Sequence, residues 1–194
     1  MNDHSMGHRR GLWRILFAAL TAVCAVTFGM TAASASSNIP FAGQAARAGL
    51  NAGQAKALQA RVDGYLARSG GKQTAANEIS YQGNGTLTLA LPGEETARSL
   101  NPANALAFAG CNYYRFCAYS GSYFTGDMRW AEQCNVNVGI PFTSTNGSWV
   151  NNQTPGTRAK LKGSNGAILS WTAGAYSEQQ WGVNWGPVYY IDAC

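Results

Sequence analysis

The chain has 194 residues, with 14 Lys and Arg against 9 Asp and Glu and a formal net charge of +5. Residues 1–35 hold three of the arginines and one aspartate, so the remainder carries only +3, too mild a charge for a nucleic-acid partner. Both histidines, His4 and His8, also fall there, which removes histidine-based triads, Cys-His proteases and histidine-ligated zinc from the rest of the chain.

At the start, Arg9, Arg10 and Arg14 precede an apolar run over residues 15–33 that ends in Ala33-Ser34-Ala35. Charge, apolar stretch and small-residue site, in that order, predict a secretory signal peptide over 1–35, cut after Ala35. An uncleaved anchor is the competing reading, because the run approaches the length that spans a bilayer. In both readings the arginines stay inside and the rest is delivered outside; with the signal cut, membrane contact is expected only through that segment during export. Cys24 follows Val23 rather than a small residue, which argues against a lipid-modified cysteine. The pair Arg9-Arg10 matches a twin-arginine signal in part.

Residues 36–51 are rich in Ala, Gly, Ser and Gln without a sustained apolar period, and are expected to form a flexible lead. Over 52–68, Ala55, Leu58, Val62, Tyr65 and Leu66 recur at three- and four-residue spacing, one apolar stripe along a helix. Gly70-Gly71 then stop it. The runs 76–81 and 86–91 flank Gln82-Gly83-Asn84-Gly85 and predict a β-hairpin. A helix and one hairpin, 52–93, are too little to fold alone: the unit packs on the later domain, serves as a pro-region, or stays loosely ordered. After Pro92-Gly93, residues 94–109 read as a linker with a short helical turn near 94–100.

Residues 110–194 are dominated by Gly, Asn, Tyr and Trp. Strand candidates at 115–119, 147–150, 157–161, 167–172 and 188–191 alternate with turn-rich stretches, the spacing of an all-β sandwich or barrel. Arg158, Lys160 and Lys162 are read as the wet face of one strand. Cys111, Cys117, Cys134 and Cys194 form an even set for an oxidising compartment, which predicts two disulfides. Of three pairings, spacing favours Cys111–Cys117 as a short clip, with Cys134–Cys194 tying back the C-terminus. On the chain-entropy estimate these contribute about 2 and about 4 kcal/mol. Four cysteines without a C-x2-C pair argue against a metal site.

The run from Cys111 through Tyr119, Phe124 and Gly126 resembles the opening of a βγ-crystallin Greek-key motif. There, aromatics stack on a folded hairpin and a glycine takes a backbone angle that a side chain opposes. Gly147-Ser148-Trp149-Val150 is similar to the strand that closes such a motif, its serine hydroxyl satisfying the hairpin backbone. Together with the cysteines, and with Asn77 to Tyr81 and Leu91-Pro92-Gly93-Glu94 upstream, the chain resembles the secreted bacterial peptidase-inhibitor family of metalloprotease-inhibitor type. The resemblance implies a mainly β, βγ-crystallin-like Greek-key sandwich over 110–194 behind the helix and hairpin, and an extracellular inhibitor. Tyr176 to Trp181-Gly182 is a loose echo of the motif, implying a second, degenerate Greek key. Asn151-Asn152-Gln153-Thr154-Pro155 supplies the first half of the ligand set of calcium-binding crystallin relatives and breaks the second.

Three functions compete. An inhibitor needs a rigid loop that a secreted protease accepts but does not process, and gains affinity from preorganisation; residues 137–145 and 151–156 are the candidates. A glycan-binding module would use exposed members of the set Trp171, Tyr176, Trp181, Trp185, Tyr189 and Tyr190, of which at most two are expected at the surface. An enzyme would need paired carboxylates, but Asp127, Glu132, Glu178 and Asp192 are scattered without a motif. The expected protein is therefore a non-enzymatic binder with no catalytic residue, no metal and no cofactor.

Overall fold

The computed structural model describes residues 39–82, 85–101 and 110–194. The signal peptide predicted over 1–35 lies outside the described residues, as do Gly83-Asn84 of the hairpin turn and residues 102–109 of the expected linker.

Helix α1 (Ala42–Arg47) occupies the segment expected to be a flexible lead. Tertiary bonds hold it there: the Gln44 amide donates to the Leu100 carbonyl at 3.0 Å and accepts from the Ala76 N–H at 2.6 Å. Helix α2 (Ala52–Ser69) begins with a reciprocal capping box, Asn51 Oδ1 accepting from Gln54 N–H and Gln54 Oε1 from Asn51 N–H. Its predicted stripe faces inward, with Ala55, Leu58 and Val62 buried. The helix ends at Gly70 and Gly71, both at positive φ. At Gly71 a Cβ would lie 2.7 Å from Ile79 Cγ2, so the chain can turn under the next strand only with glycine.

The structure is mainly β, with two antiparallel sheets. Strands β1 (Lys72–Ala75), β2 (Glu78–Ser80) and β3 (Thr86–Thr88) form the predicted hairpin plus one further strand. They continue into β5 (Met128–Ala131), β4 (Arg115–Tyr119), β7 (Gly147–Asn152) and β10 (Ser177–Val183), giving seven strands in the order β1-β2-β3-β5-β4-β7-β10. The second sheet has the order β6-β11-β8-β9, from β6 (Val138–Gly139), β8 (Lys160–Lys162), β9 (Ile168–Trp171) and β11 (Tyr190–Asp192). Four of these strands, β1, β5, β6 and β10, had no sequence candidate.

A reciprocal exchange links the sheets. Among the four consecutive strands β4 to β7, the third, β6, leaves the first sheet to pair with β11. Among β8 to β11, the third, β10, leaves the second sheet to pair with β7. The two units therefore have the same internal pairing, first strand with second and fourth, and each borrows a strand from the other. The second unit starts at β8, and Tyr176 to Gly182 falls around its third strand, not at an opening hairpin.

Residues 52–93 pack on 110–194, one of the three arrangements left open for them. Leu58, Val62, Ile79, Leu87 and Leu89 share one buried cluster with Phe116, Trp149, Trp185 and Ile191, and β3 pairs directly with β5. Two polar clamps add to this. Asp127, nearly buried, accepts from Arg61, from the Tyr65 hydroxyl at 2.7 Å and from the Ala90 N–H at 2.9 Å. Buried Arg129 stacks 4.2 Å from the Tyr81 ring centre and donates through Nε to the Gly139 carbonyl at 3.1 Å; burial pulls its pKa down to about 10. Residues 94–101 are not a free linker and contain no helix. Thr96 bridges Gly126, and Asn77 Nδ2 donates to the Arg98 carbonyl.

Candidate functional site

The hairpin read from Tyr119, Phe124 and Gly126 is built by the local sequence and closed by a distant strand. After β4 the chain turns tightly through Ser122–Phe124, with Tyr123 and Phe124 at φ 52° and 63°. Phe124 stacks edge-on against buried Tyr119, ring centres 5.5 Å apart. Gly126 has φ 78°, and a Cβ there would sit 2.2 Å from Ser120 Oγ. From β7, buried Ser148 donates through Oγ to the Gly121 carbonyl at 2.7 Å and accepts from the Phe124 N–H at 3.0 Å. One hydroxyl thus satisfies both sides of the turn. Trp149, next in β7, packs against Phe116, 5.7 Å between ring centres. These five residues are a folding element, with Tyr119, Ser148 and Trp149 buried, and do not themselves form a surface.

The disulfides are Cys111–Cys117, with Cα atoms 5.8 Å apart, and Cys134–Cys194, at 4.7 Å. The first clips the entry to β4. The second sits in the connection between β5 and β6, where Glu132, Gln133, Cys134, Asn135 and Asn137 are exposed and Val136 is half-buried. Ala131 before this loop and Val138 after it are buried, and the Asn135 N–H donates to Asp192 Oδ1 at 2.8 Å. Buried Asp192 also receives Lys160 and Lys162, each at 3.0 Å. Burial opposes ionisation of Asp192, but the two lysines and the N–H groups of Asn135 and Cys194 outweigh it and hold its pKa below the ordinary value. Lys160 and Lys162 are therefore half-buried partners of a carboxylate, not a solvated strand face.

The two predicted loops differ. Much of 137–145 is committed to structure: β6 occupies Val138–Gly139, Phe142 is buried against Trp185, and Ser144 bonds the Ser120 carbonyl. The exposed residues lie just upstream, at 132–135 and 137. In 151–156, buried Asn151 donates to the Thr157 and Ala173 carbonyls and accepts from Gln153, which also donates to the Ala193 carbonyl. Only residues 154–156 are exposed there. Of the side-chain oxygens that the half calcium set would supply, Asn151 Oδ1 is taken by the Gln153 amide. Among the described residues no three His, Cys, Asp or Glu stand close enough to hold a metal ion.

The four carboxylates are separately engaged: Asp127 and Asp192 as above, Glu132 with Arg115 at 3.2 Å, and Glu178 with the Tyr176 hydroxyl at 2.9 Å. The aromatic set divides differently from expectation. Trp185 is fully buried, but Trp171, Tyr176, Trp181 and Tyr189 are all exposed, four rather than two. The second unit is small, and its outer strand β9 is exposed along its whole length, so there is too little interior to cover them. Tyr123, outside that set, lies 5.7 Å from Trp181 between ring centres. Sequence reasoning missed it because β10, which carries Trp181, crosses from the other unit.

No family model, curated protein or solved structure matches the chain. The fold and site therefore define it only as a mainly β protein with two antiparallel sheets and two disulfides. Those bonds fit an extracellular setting. Among the described residues no helix is long and apolar enough to cross a membrane.

Proposed function

We propose that the chain is a secreted peptidase inhibitor that offers residues 132–137 to a protease cleft, on a βγ-crystallin-like double Greek key. The observation that carries this is the pinning of that loop. It is anchored by Cys134–Cys194, by the Asn135 bond to Asp192 and by buried residues on either side. A loop already held in one shape loses little conformational freedom on binding, which is where such inhibitors gain affinity. The exchange of third strands between two equivalent units, and the Ser148 closure of the Tyr119 hairpin, support the crystallin-like reading. Secretion belongs to the same proposal, resting on the signal pattern of 1–35 and the disulfides.

The test is titration of the disulfide-bonded chain against a panel of secreted metallo- and serine proteases. At least one is expected to lose activity at near-stoichiometric protein. A Glu132→Ala, Gln133→Ala variant should lose that inhibition, and a Thr154→Ala, Pro155→Ala variant should keep it. If the wild type inhibits none, the inhibitor reading fails and an extracellular binding or structural module remains.

A further inference from the structure

We infer that Tyr123 and Trp181 form a platform for an uncharged polysaccharide, a binding site separate from the protease loop and independent of the inhibitor reading. The two rings come from different units, one from the turn after β4 and the other from β10. They touch with their planes tilted by 35°, yet Tyr123 remains 61% and Trp181 57% exposed. Aromatic rings in mutual contact usually serve to bury area. This pair instead keeps most of its surface open to water.

The geometry around the pair supplies the rest of a sugar site. Trp181 lines an open groove of about 550 Å³ with Glu178, Gln179 and Gln180. Tyr123 lines a second groove of about 420 Å³ with Glu95, Ser122 and Thr125. A pyranose presents an apolar C–H face and a rim of hydroxyls, so it needs a ring to lie on and amides, hydroxyls or carboxylates at the edge. Few sites combine the two unless orientation matters. Glu178 is held in place by the Tyr176 hydroxyl and by Gln180 Nε2 at 2.8 Å, and each of its oxygens retains a second acceptor direction. Among the described residues the Gln179 amide donates once, to the Trp181 carbonyl at 3.2 Å, leaving its oxygen and second N–H for hydroxyls.

Charge selects the occupant. Among the described residues the two grooves contribute Glu178 and Glu95 and no lysine or arginine, so a sulfated or uronic polymer would meet like charge. An uncharged chain meets none. The turn also aims Tyr123: its left-handed backbone is unfavourable for a bulky residue, and the Ser148 bonds that hold the turn fix the ring beside Trp181.

The experiment is retention of the full-length, disulfide-bonded chain on insoluble chitin and cellulose, with an alginate gel as the anionic comparison. Retention on at least one uncharged polymer is expected, with at least tenfold loss for Trp181→Ala and for Tyr123→Ala. Trp171→Ala, which removes another exposed tryptophan, on the other sheet, should be retained like wild type. Quenching of tryptophan fluorescence by the matching soluble oligosaccharide should disappear in Trp181→Ala, and an unchanged urea midpoint would show that the variant is folded. No retention of the wild type on either polymer overturns the inference, as does equal retention of the Tyr123 and Trp181 variants. Retention only on alginate, or loss of protease inhibition in Trp181→Ala without any polysaccharide binding, also overturns it.

Discussion

The indole nitrogen of Trp185 donates a 2.8 Å hydrogen bond to the main-chain carbonyl of Tyr119, 66 positions away in sequence. It passes over Gly147, where a Cβ would lie 1.9 Å from that nitrogen. Trp185→Phe removes that donor from the buried Tyr119 carbonyl and leaves the smaller ring in a closely packed site, and should cost about 1–3 kcal/mol. Gly147→Ala should cost at least as much, because the indole must move from a closely packed site. Urea unfolding of both variants checks this; an unchanged midpoint for Gly147→Ala would mean that the approach is looser than described.

Ser148→Ala removes an acceptor from the Phe124 N–H and a donor from the Gly121 carbonyl at once. A loss of about 1–3 kcal/mol is expected, concentrated in the turn. Hydrogen exchange at the Phe124 amide should rise more than at amides in the centre of β4, and Ser148→Thr should restore part of the protection if the methyl is accommodated.

Acid should weaken the fold through Asp192. Its folded pKa lies below its ordinary value of 3.8 because Lys162, Lys160 and two backbone N–H groups outweigh its burial. A carboxylate of this kind stabilises the fold above its unfolded pKa and loses that contribution as pH falls through the folded one. Asp192→Asn is therefore expected to be less stable than wild type at neutral pH, with the gap narrowing below pH 3.8. Denaturation midpoints across that range test the sign, and a pH-independent gap would assign the loss to packing.

The two disulfides should differ in weight. Cys134–Cys194 closes 60 positions and Cys111–Cys117 only 6, so replacing both cysteines by serine should cost about 4 kcal/mol for the first pair and about 2 for the second. The first replacement should also open residues 132–137 to proteolysis before the chain unfolds, which limited digestion reads directly.

The N-terminal helix and hairpin should prove integral to the fold. A chain starting at residue 110 loses β3 from the edge of β5 and the Leu58, Ile79 and Leu87 contribution to the shared core. No cooperative unfolding transition is expected from it. In the full chain, Asp127→Ala strands the Tyr65 hydroxyl and the Ala90 N–H, for an expected loss of at least about 2 kcal/mol. A cooperatively folding 110–194 fragment would reinstate the two-domain division.

Wherever cause and effect lie close together along the chain, the sequence alone determined the outcome. The stripe Ala55-Leu58-Val62 with Gly70 behind it makes helix α2; Tyr119, Phe124 and Gly126 make the folded turn; four cysteines make two bonds, the two nearest in sequence paired with each other. Tertiary structure decided what depends on distant partners. Helix α1 exists because Gln44 finds Leu100 and Ala76, and β6 and β10 are strands because each finds an edge in the opposite unit. Trp181 and Trp185 look alike four residues apart, yet one is open to solvent and the other sealed beneath Gly147. Burial is a property of the space a neighbouring segment leaves, and no pattern within β10 encodes that space.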